Sequence, residues 1–299
     1  MSLKKSSVEQ ELFKYRSFKG PLSFCRDDQG CFLISDELDH AVCLFDPEEK
    51  CLWRKEGFHY PSDCLYSEGL FWVADRYHHS LKAFDRQGNE LLNVCPKKDN
   101  YFSLVEPFGI TSANHHIYVT DAGNATFKRL ELKEGAVVEL GIPGPGVDYY
   151  SSPLFKKQSV YKRWFESQTR FYTLETMFFK SGFTLGNLEN PRGIASCGEW
   201  GIAVADISGY IQLFDDLGHL KRHFKIEGYP QWLYYEHGLL FYSAEFSNRI
   251  KILSLKGKEE TEIALSHEIG KFVLYSGGEL IYIAPWEKKM FKVHLQEDL

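Results

Sequence analysis

Few residues in this chain have the types and spacing that chemistry needs. His78 and His79 follow Arg76 and Tyr77, and His59 stands just before Tyr60-Pro61. Three imidazoles and a guanidinium near one another could bind an anion or a metal; a solvated polar turn would carry the same residues. A second pattern is acidic. Asp36, Asp75, Asp121 and Asp206 each close a short apolar run, and Glu245 and Pro285 hold the corresponding places further on. A carboxylate repeated at one local position accepts hydrogen bonds from its own turn, so these are read as structural acids. A third set opens each repeat: Leu22-Ser23, Ser62-Asp63, Phe108-Gly109, Arg192-Gly193, Gln231-Trp232 and Lys271-Phe272. Asp63 is the one carboxylate there, and no His is present. A resident metal needs several oxygen or imidazole ligands at one point. Neither metal nor cofactor is therefore expected, and no catalytic residue is assigned. No glycine-rich phosphate loop and no serine nucleophile elbow occur.

Composition narrows the classes further. The net charge of −6 over 299 residues argues against a dedicated nucleic-acid binder. No run of ~18 apolar residues is present to span a membrane. Met1-Ser-Leu-Lys-Lys-Ser-Ser lacks the apolar segment of a secretory signal. The seven cysteines include no Cys-x-x-Cys pair, so zinc and thioredoxin motifs are not expected. These features point to a reducing, cytoplasmic setting without membrane contact. Asn124-Ala-Thr126 matches a glycosylation acceptor and is read as a chance match.

The elements that must position these residues repeat along the chain. The clearest copy runs from Asn190 to Gly218: Asn-Pro-Arg-Gly-Ile-Ala, a turn, Gly-Ile-Ala-Val-Ala-Asp206, a turn, then Tyr210-Ile-Gln-Leu-Phe-Asp-Asp-Leu-Gly. Pro191 cannot donate to a ladder and so belongs just before a first strand. Ile202 to Ala205 is the short apolar run of a strand buried on both faces. Similar units begin at Pro21, Pro61, Pro107 and Pro230, with a sixth around Phe272. A period of about 40 residues with four strands per unit predicts a β-propeller. The last unit lacks a strand, and Leu12–Phe18 is spare, so the N-terminus is expected to close the ring and remove an exposed edge. Asp121 to Asp206 spans twice the usual step. An insertion at Gly144–Asn187 accounts for it, with Trp164, Phe171, Leu174 and Phe178 at helical spacing. The fold expected is all-β, a single domain over 1–299: six four-stranded blades closed by the N-terminal strand, with a partly helical insertion between blades three and four.

Pro-x-Gly-Ile, then Val-Ala-Asp, a short turn and an Ile-x-x-Phe-Asp strand together resemble the NHL-repeat family of six-bladed propellers. The match is strong at Pro107–Leu130 and Pro191–Gly218 and good at Pro61–Gly88; Glu245 and Pro285 depart from it. The family's Asn after the Asp survives as Asn124 and Asn248, whereas His78 takes that place in the second repeat. The resemblance implies that the first strand of each blade lines the channel. It also implies that the connections from fourth to first strand and from second to third form the top face, where partners bind. Asp63, Arg76, Tyr77, His78, His79, Arg192, Trp232 and Trp286 are placed on that face. His115-His116 belongs to the opposite one. The insertion also leaves from the top, carrying Lys162 and Arg163 within a basic, aromatic stretch. That stretch fits either an acidic partner or a helix packed with a solvated outer side.

Such propellers host binding modules and enzymes alike. The reading favoured by these residues is a non-catalytic module that binds a protein or an acidic ligand through the top face. The alternative is a metal-dependent hydrolase or lyase using the same channel mouth. Binding of single-stranded RNA stands third.

Overall fold

A computed structural model describes residues 3–94, 104–133, 136–140, 186, 188–215, 218–256 and 259–297. The insertion, with Lys162 and Arg163, falls outside them apart from Gly186.

The N-terminal strands are β1 (Leu3–Lys5) and β2 (Gln10–Leu12). Blade 1 follows as β3 (Pro21–Arg26), β4 (Phe32–Asp36), β5 (Ala41–Phe45) and β6 (Cys51–Glu56). Blade 2 is β7 (Pro61–Ser67), β8 (Leu70–Asp75), β9 (Ser80–Phe84) and β10 (Glu90–Val94). Blade 3 is β11 (Pro107–Ala113), β12 (His116–Asp121), β13 (Thr126–Lys133) and β14 (Ala136–Leu140). Blade 4 is β15 (Pro191–Ser196), β16 (Ile202–Asp206), β17 (Tyr210–Phe214) and β18 (Leu220–Lys225). Blade 5 is β19 (Pro230–Glu236), β20 (Leu239–Ala244), β21 (Arg249–Ser254) and β22 (Glu259–Ala264). Blade 6 has β23 (Phe272–Tyr275), β24 (Glu279–Ala284) and β25 (Lys289–Glu297). The described strands thus form six antiparallel blades, each a separate sheet.

The repeated proline and the repeated acid are partners across the first two strands. Pro21 pairs with Asp36, Pro61 with Asp75, Pro107 with Asp121 and Pro191 with Asp206, while Pro230 meets Ala244. In all five blades the register shifts immediately after the proline. Proline has no N–H to give, so the ladder is already interrupted there, and a bulge re-aims the next side chains. Two of those positions must be glycine because neighbouring first strands nearly touch. A Cβ on Gly109 would stand 2.5 Å from the Arg192 carbonyl oxygen, and one on Gly193 would collide with that of Gln231.

Apolar burial is divided among the gaps between blades. Six clusters lie one in each gap; Phe13, Phe24, Ile34, Ile281 and Met290 belong to the one between blades 6 and 1. The ring is therefore held by lateral contacts, and its closure protects two cores at once.

The N-terminus does close the ring, at residues earlier than expected. β1 pairs Leu3 with Glu297, and β2 pairs Gln10 with Lys292 and Leu12 with Met290. Of Leu12–Phe18, only Leu12 is in a strand. Phe13 turns out of the ladder at φ 53° and is buried, with its ring 4.9 Å from that of Phe45. The aromatic residues here wedge under blade 1 instead of extending a sheet.

Candidate functional site

The four repeated aspartates are buried and saturated, whereas Glu245 is exposed. Asp36 accepts the backbone N–H groups of Lys19 and Gly20 at 2.8 Å. Asp206 accepts Glu189 N at 2.7 Å and Ser208 N at 2.9 Å. Asp121 accepts Val105 N at 2.7 Å, Asn124 Nδ2 at 2.7 Å and the buried Lys128 ammonium at 2.9 Å. Burial pushes the Asp121 and Asp206 carboxyls up, while these donors pull them back. In each case the acid pins the connection that precedes its own blade. Asn124 is buried in this network, which explains its glycosylation-like triplet as structural.

The same device explains much of the imidazole cluster. His78 Nδ1 lies 2.9 Å from Asp75 Oδ2, where Asn124 stands on Asp121 in the next blade. Asp75 also takes Lys82 Nζ at 2.7 Å and His59 N at 2.8 Å. His79 accepts Glu106 N through Nδ1 at 3.3 Å, and His40 accepts Tyr60 N in the same way at 3.4 Å. His40, His59, Tyr60, Tyr77 and His78 form a continuous patch of rings with neighbouring centroids 4.9–5.8 Å apart. Among the described residues, no three His, Cys, Asp or Glu side chains gather as a set able to hold a metal ion. His115 pairs with Glu68 at 2.9 Å, in a turn on the opposite face.

Two expected surface residues lie inside instead. Asp63 follows the bulge of β7 and is buried. Its Oδ1 accepts Ser23 Oγ at 2.5 Å, Lys271 Nζ at 2.6 Å and Cys64 N at 2.8 Å; its Oδ2 accepts Ile110 N at 2.8 Å. Lys271 reaches past blade 1 to make this pair, and Asp63 keeps its ammonium charged by raising its pKa against the effect of burial. Trp232, after the bulge of β19, is also buried, and its Nε1 has no hydrogen-bond partner. A one-residue register shift sends a side chain to the other face of its strand, and this shift is invisible in the residue order. Beneath this layer the channel holds a cavity of about 450 Å³. Its walls include Arg26, Tyr66, Ser112, Ser196, Tyr235 and Tyr275, at the far ends of the first strands.

At the top mouth the structure brings together Arg76, Tyr77 and Arg192, and adds Glu106 and Phe108. Arg76 binds Glu106 at 3.0 Å and lies over the rings of Tyr77 and Phe108, 4.8 Å and 5.8 Å from their centroids. Arg192 lies 4.7 Å from the Phe108 centroid on the same ring. Burial, then the like charge of Arg76, pushes the Arg192 pKa down. Burial pushes Glu37 up, against the pull of Arg76.

Trp286 is 68% exposed on the turn between β24 and β25. It has company that residue types alone do not reveal. Among the described residues nine large apolar side chains are exposed, and five of them lie on top-face connections: Tyr15, Leu38, Tyr229, Phe246 and Trp286. These five belong to blades 5, 6 and 1, which are consecutive around the ring. A signal did exist in the sequence: each sits in a turn or just before the repeat's proline, where an apolar residue has no strand to face inward from.

Comparisons with protein-family models and with curated proteins give no match. Solved structures do match. Virginiamycin B lyase from Staphylococcus aureus shares 15% identity over 96% of this chain and 99% of its own, with a TM-score of 0.62. A gluconolactonase from Xanthomonas campestris shares 13% over 93% of this chain and 85% of its own, with a TM-score of 0.61. The WD40 propeller domain of Doa1 shares 13% over 92% of this chain and 78% of its own, with a TM-score of 0.60. At this identity the likeness establishes the propeller fold alone.

Proposed function

We propose that the chain is a non-catalytic, NHL-like propeller whose top face seats a protein partner. The observation that carries this reading is the exposed arc of Tyr15, Leu38, Tyr229, Phe246 and Trp286 on three consecutive blades. Large apolar side chains scattered singly need no explanation, but a group of them on one face marks an interaction surface. Trp, Tyr and Arg are also the residue types that dominate interface energetics, and Arg76, Tyr77 and Arg192 adjoin the arc at the mouth. The rival enzyme reading would draw on Asp63, which Lys271 and three other donors already occupy. The lyase and lactonase activities belong to the proteins so named, and for this chain they supply control assays.

The test is affinity capture with three forms of the protein: unaltered, Phe246→Ser with Trp286→Ser, and Trp200→Ser on the opposite face. The expected outcome is a partner retained by the first and third forms and lost from the second, with melting temperatures unchanged. Equal capture by all three would overturn the reading. Turnover of a lactone or a streptogramin by the purified protein would give the enzyme reading first place.

A further inference from the structure

This inference rests on the top-face reading and concerns what the partner places in the channel mouth. Arg192 is the second residue of β15 and is only partly exposed. Its guanidinium is stacked on Phe108, whose other contacts include the Trp232 ring at 5.6 Å. Because Phe108 and Trp232 are both buried, the plane on which Arg192 rests is fixed. The backbone beneath is fixed as well, since Thr120 Oγ1 donates to Arg192 O at 2.7 Å. Yet among the described residues the guanidinium meets no hydrogen-bond acceptor, and its Nε is buried without a partner. Arg76 shares the Phe108 ring and has the same orphaned Nε, but its Nη2 is matched by Glu106. Two guanidinium groups thus stand on one ring, and among the described residues an acceptor is bound to only one of them. A buried charged donor left without an acceptor is costly, and the burial and like charge that depress the Arg192 pKa act in the same direction.

We propose that Arg192 is the receptor for a carboxylate carried by the partner, gripped across the planar fork of the guanidinium. Arginine pairs with carboxylates through two parallel N–H···O bonds, and a preset plane lowers the ordering cost of that pair. The surroundings select a monoanion over a phosphate. Glu106 and Glu245 lie near enough to act on Arg192, and Glu37 lies near Arg76. Arg76 pairs with Glu106 alone, so the remaining carboxylates would repel a dianion about twice as strongly as a single carboxylate.

The carboxylate can come from an acidic side chain or from a chain end, and the test separates them. Calorimetry on the full chain would use three probes: acetyl-Tyr-Glu-Tyr-amide, acetyl-Tyr-Gly-Tyr with a free carboxylate, and acetyl-Tyr-Gln-Tyr-amide. At least one carboxylate probe should bind tenfold or more tightly than the glutamine amide, and which one does identifies the source. Arg192→Met should abolish that preference, and Arg192→Lys, a point charge without a fork, should restore it in part. Inorganic phosphate at equal concentration should not compete. Thermal melting of each variant checks that the fold persists, and Arg76→Met serves as a second mouth variant should Arg192→Met unfold. It should weaken the preference without abolishing it. The proposal is overturned by equal affinity for the three probes, by no binding of either carboxylate probe at millimolar concentration, by preference retained in Arg192→Met, or by competition from phosphate. If those results came while Phe246→Ser with Trp286→Ser still lost the protein partner, the carboxylate receptor would fall and the top-face reading would stand.

Discussion

At the scale of single residues, the side chains that looked most chemical are largely structural. His78 stands on Asp75 as Asn124 stands on Asp121. His78→Asn should therefore leave stability within about 0.5 kcal/mol, whereas His78→Ala should cost about 1 kcal/mol, the usual net value of one hydrogen bond. Equilibrium denaturation distinguishes the two, and equal losses would contradict this account of the turn. The Lys271–Asp63 pair is a second case. Breaking a buried pair on one side leaves an uncompensated charge, so Lys271→Met should cost about 3–5 kcal/mol. Adding Asp63→Asn should recover part of the loss, because the amide carries no charge. The role of the repeated acids was legible from their spacing. The inward turn of Asp63 and Trp232 was not, because it depends on a bulge that leaves no mark in the residue order.

At the scale of elements, two features hold the ring. The first is the contact between neighbouring first strands at the bulge. Gly193→Ala would drive a Cβ into the Gln231 carbonyl, and overpacking of this kind costs about 1–3 kcal/mol. The second is the N-terminal closure. Deleting residues through Leu12 would strip the outer edge of β25 and open the cluster between blades 6 and 1. The melting temperature should fall sharply, since small domains have little stability to spare. Glu9 anchors this closure through Lys5 Nζ, Tyr282 Oη, and the N–H and Oγ of Ser266, at 2.6, 2.6, 3.0 and 3.0 Å. Burial alone would raise its pKa, but these donors outweigh it and the value is lowered. A carboxylate lowered on folding adds stability that is complete above its unfolded pKa and is lost as pH falls through the folded one. Hydrogen exchange at β2 should accordingly speed up on acidification below the ordinary carboxylate range, relative to exchange at β16. Glu9→Gln should flatten that dependence. The closing role of the N-terminus was legible from a missing strand and a spare one. Its residues were not, because Phe13-Lys14-Tyr15-Arg16 alternates as a strand would, yet Phe13 and Phe18 are used for packing.

At the scale of the whole molecule, six blades were readable from a repeated proline, a repeated acid and a constant period. The face proposed to seat a partner was less so. Arg76, Tyr77, Arg192 and Trp286 were assigned to the top face by type and position, but the arc that includes Tyr229 and Phe246 emerges only when the turns of three blades are set side by side. That arc is the central claim, and site-specific photocrosslinking tests it most directly. A benzophenone side chain would be placed at position 286, on the top face, and in a second protein at position 200, on the opposite one. Position 286 should yield one protein adduct that disappears when Phe246 is also changed to Ser, and position 200 should yield none. The same adduct at both positions, or an adduct at position 200 alone, would contradict the top face as the seat of the partner.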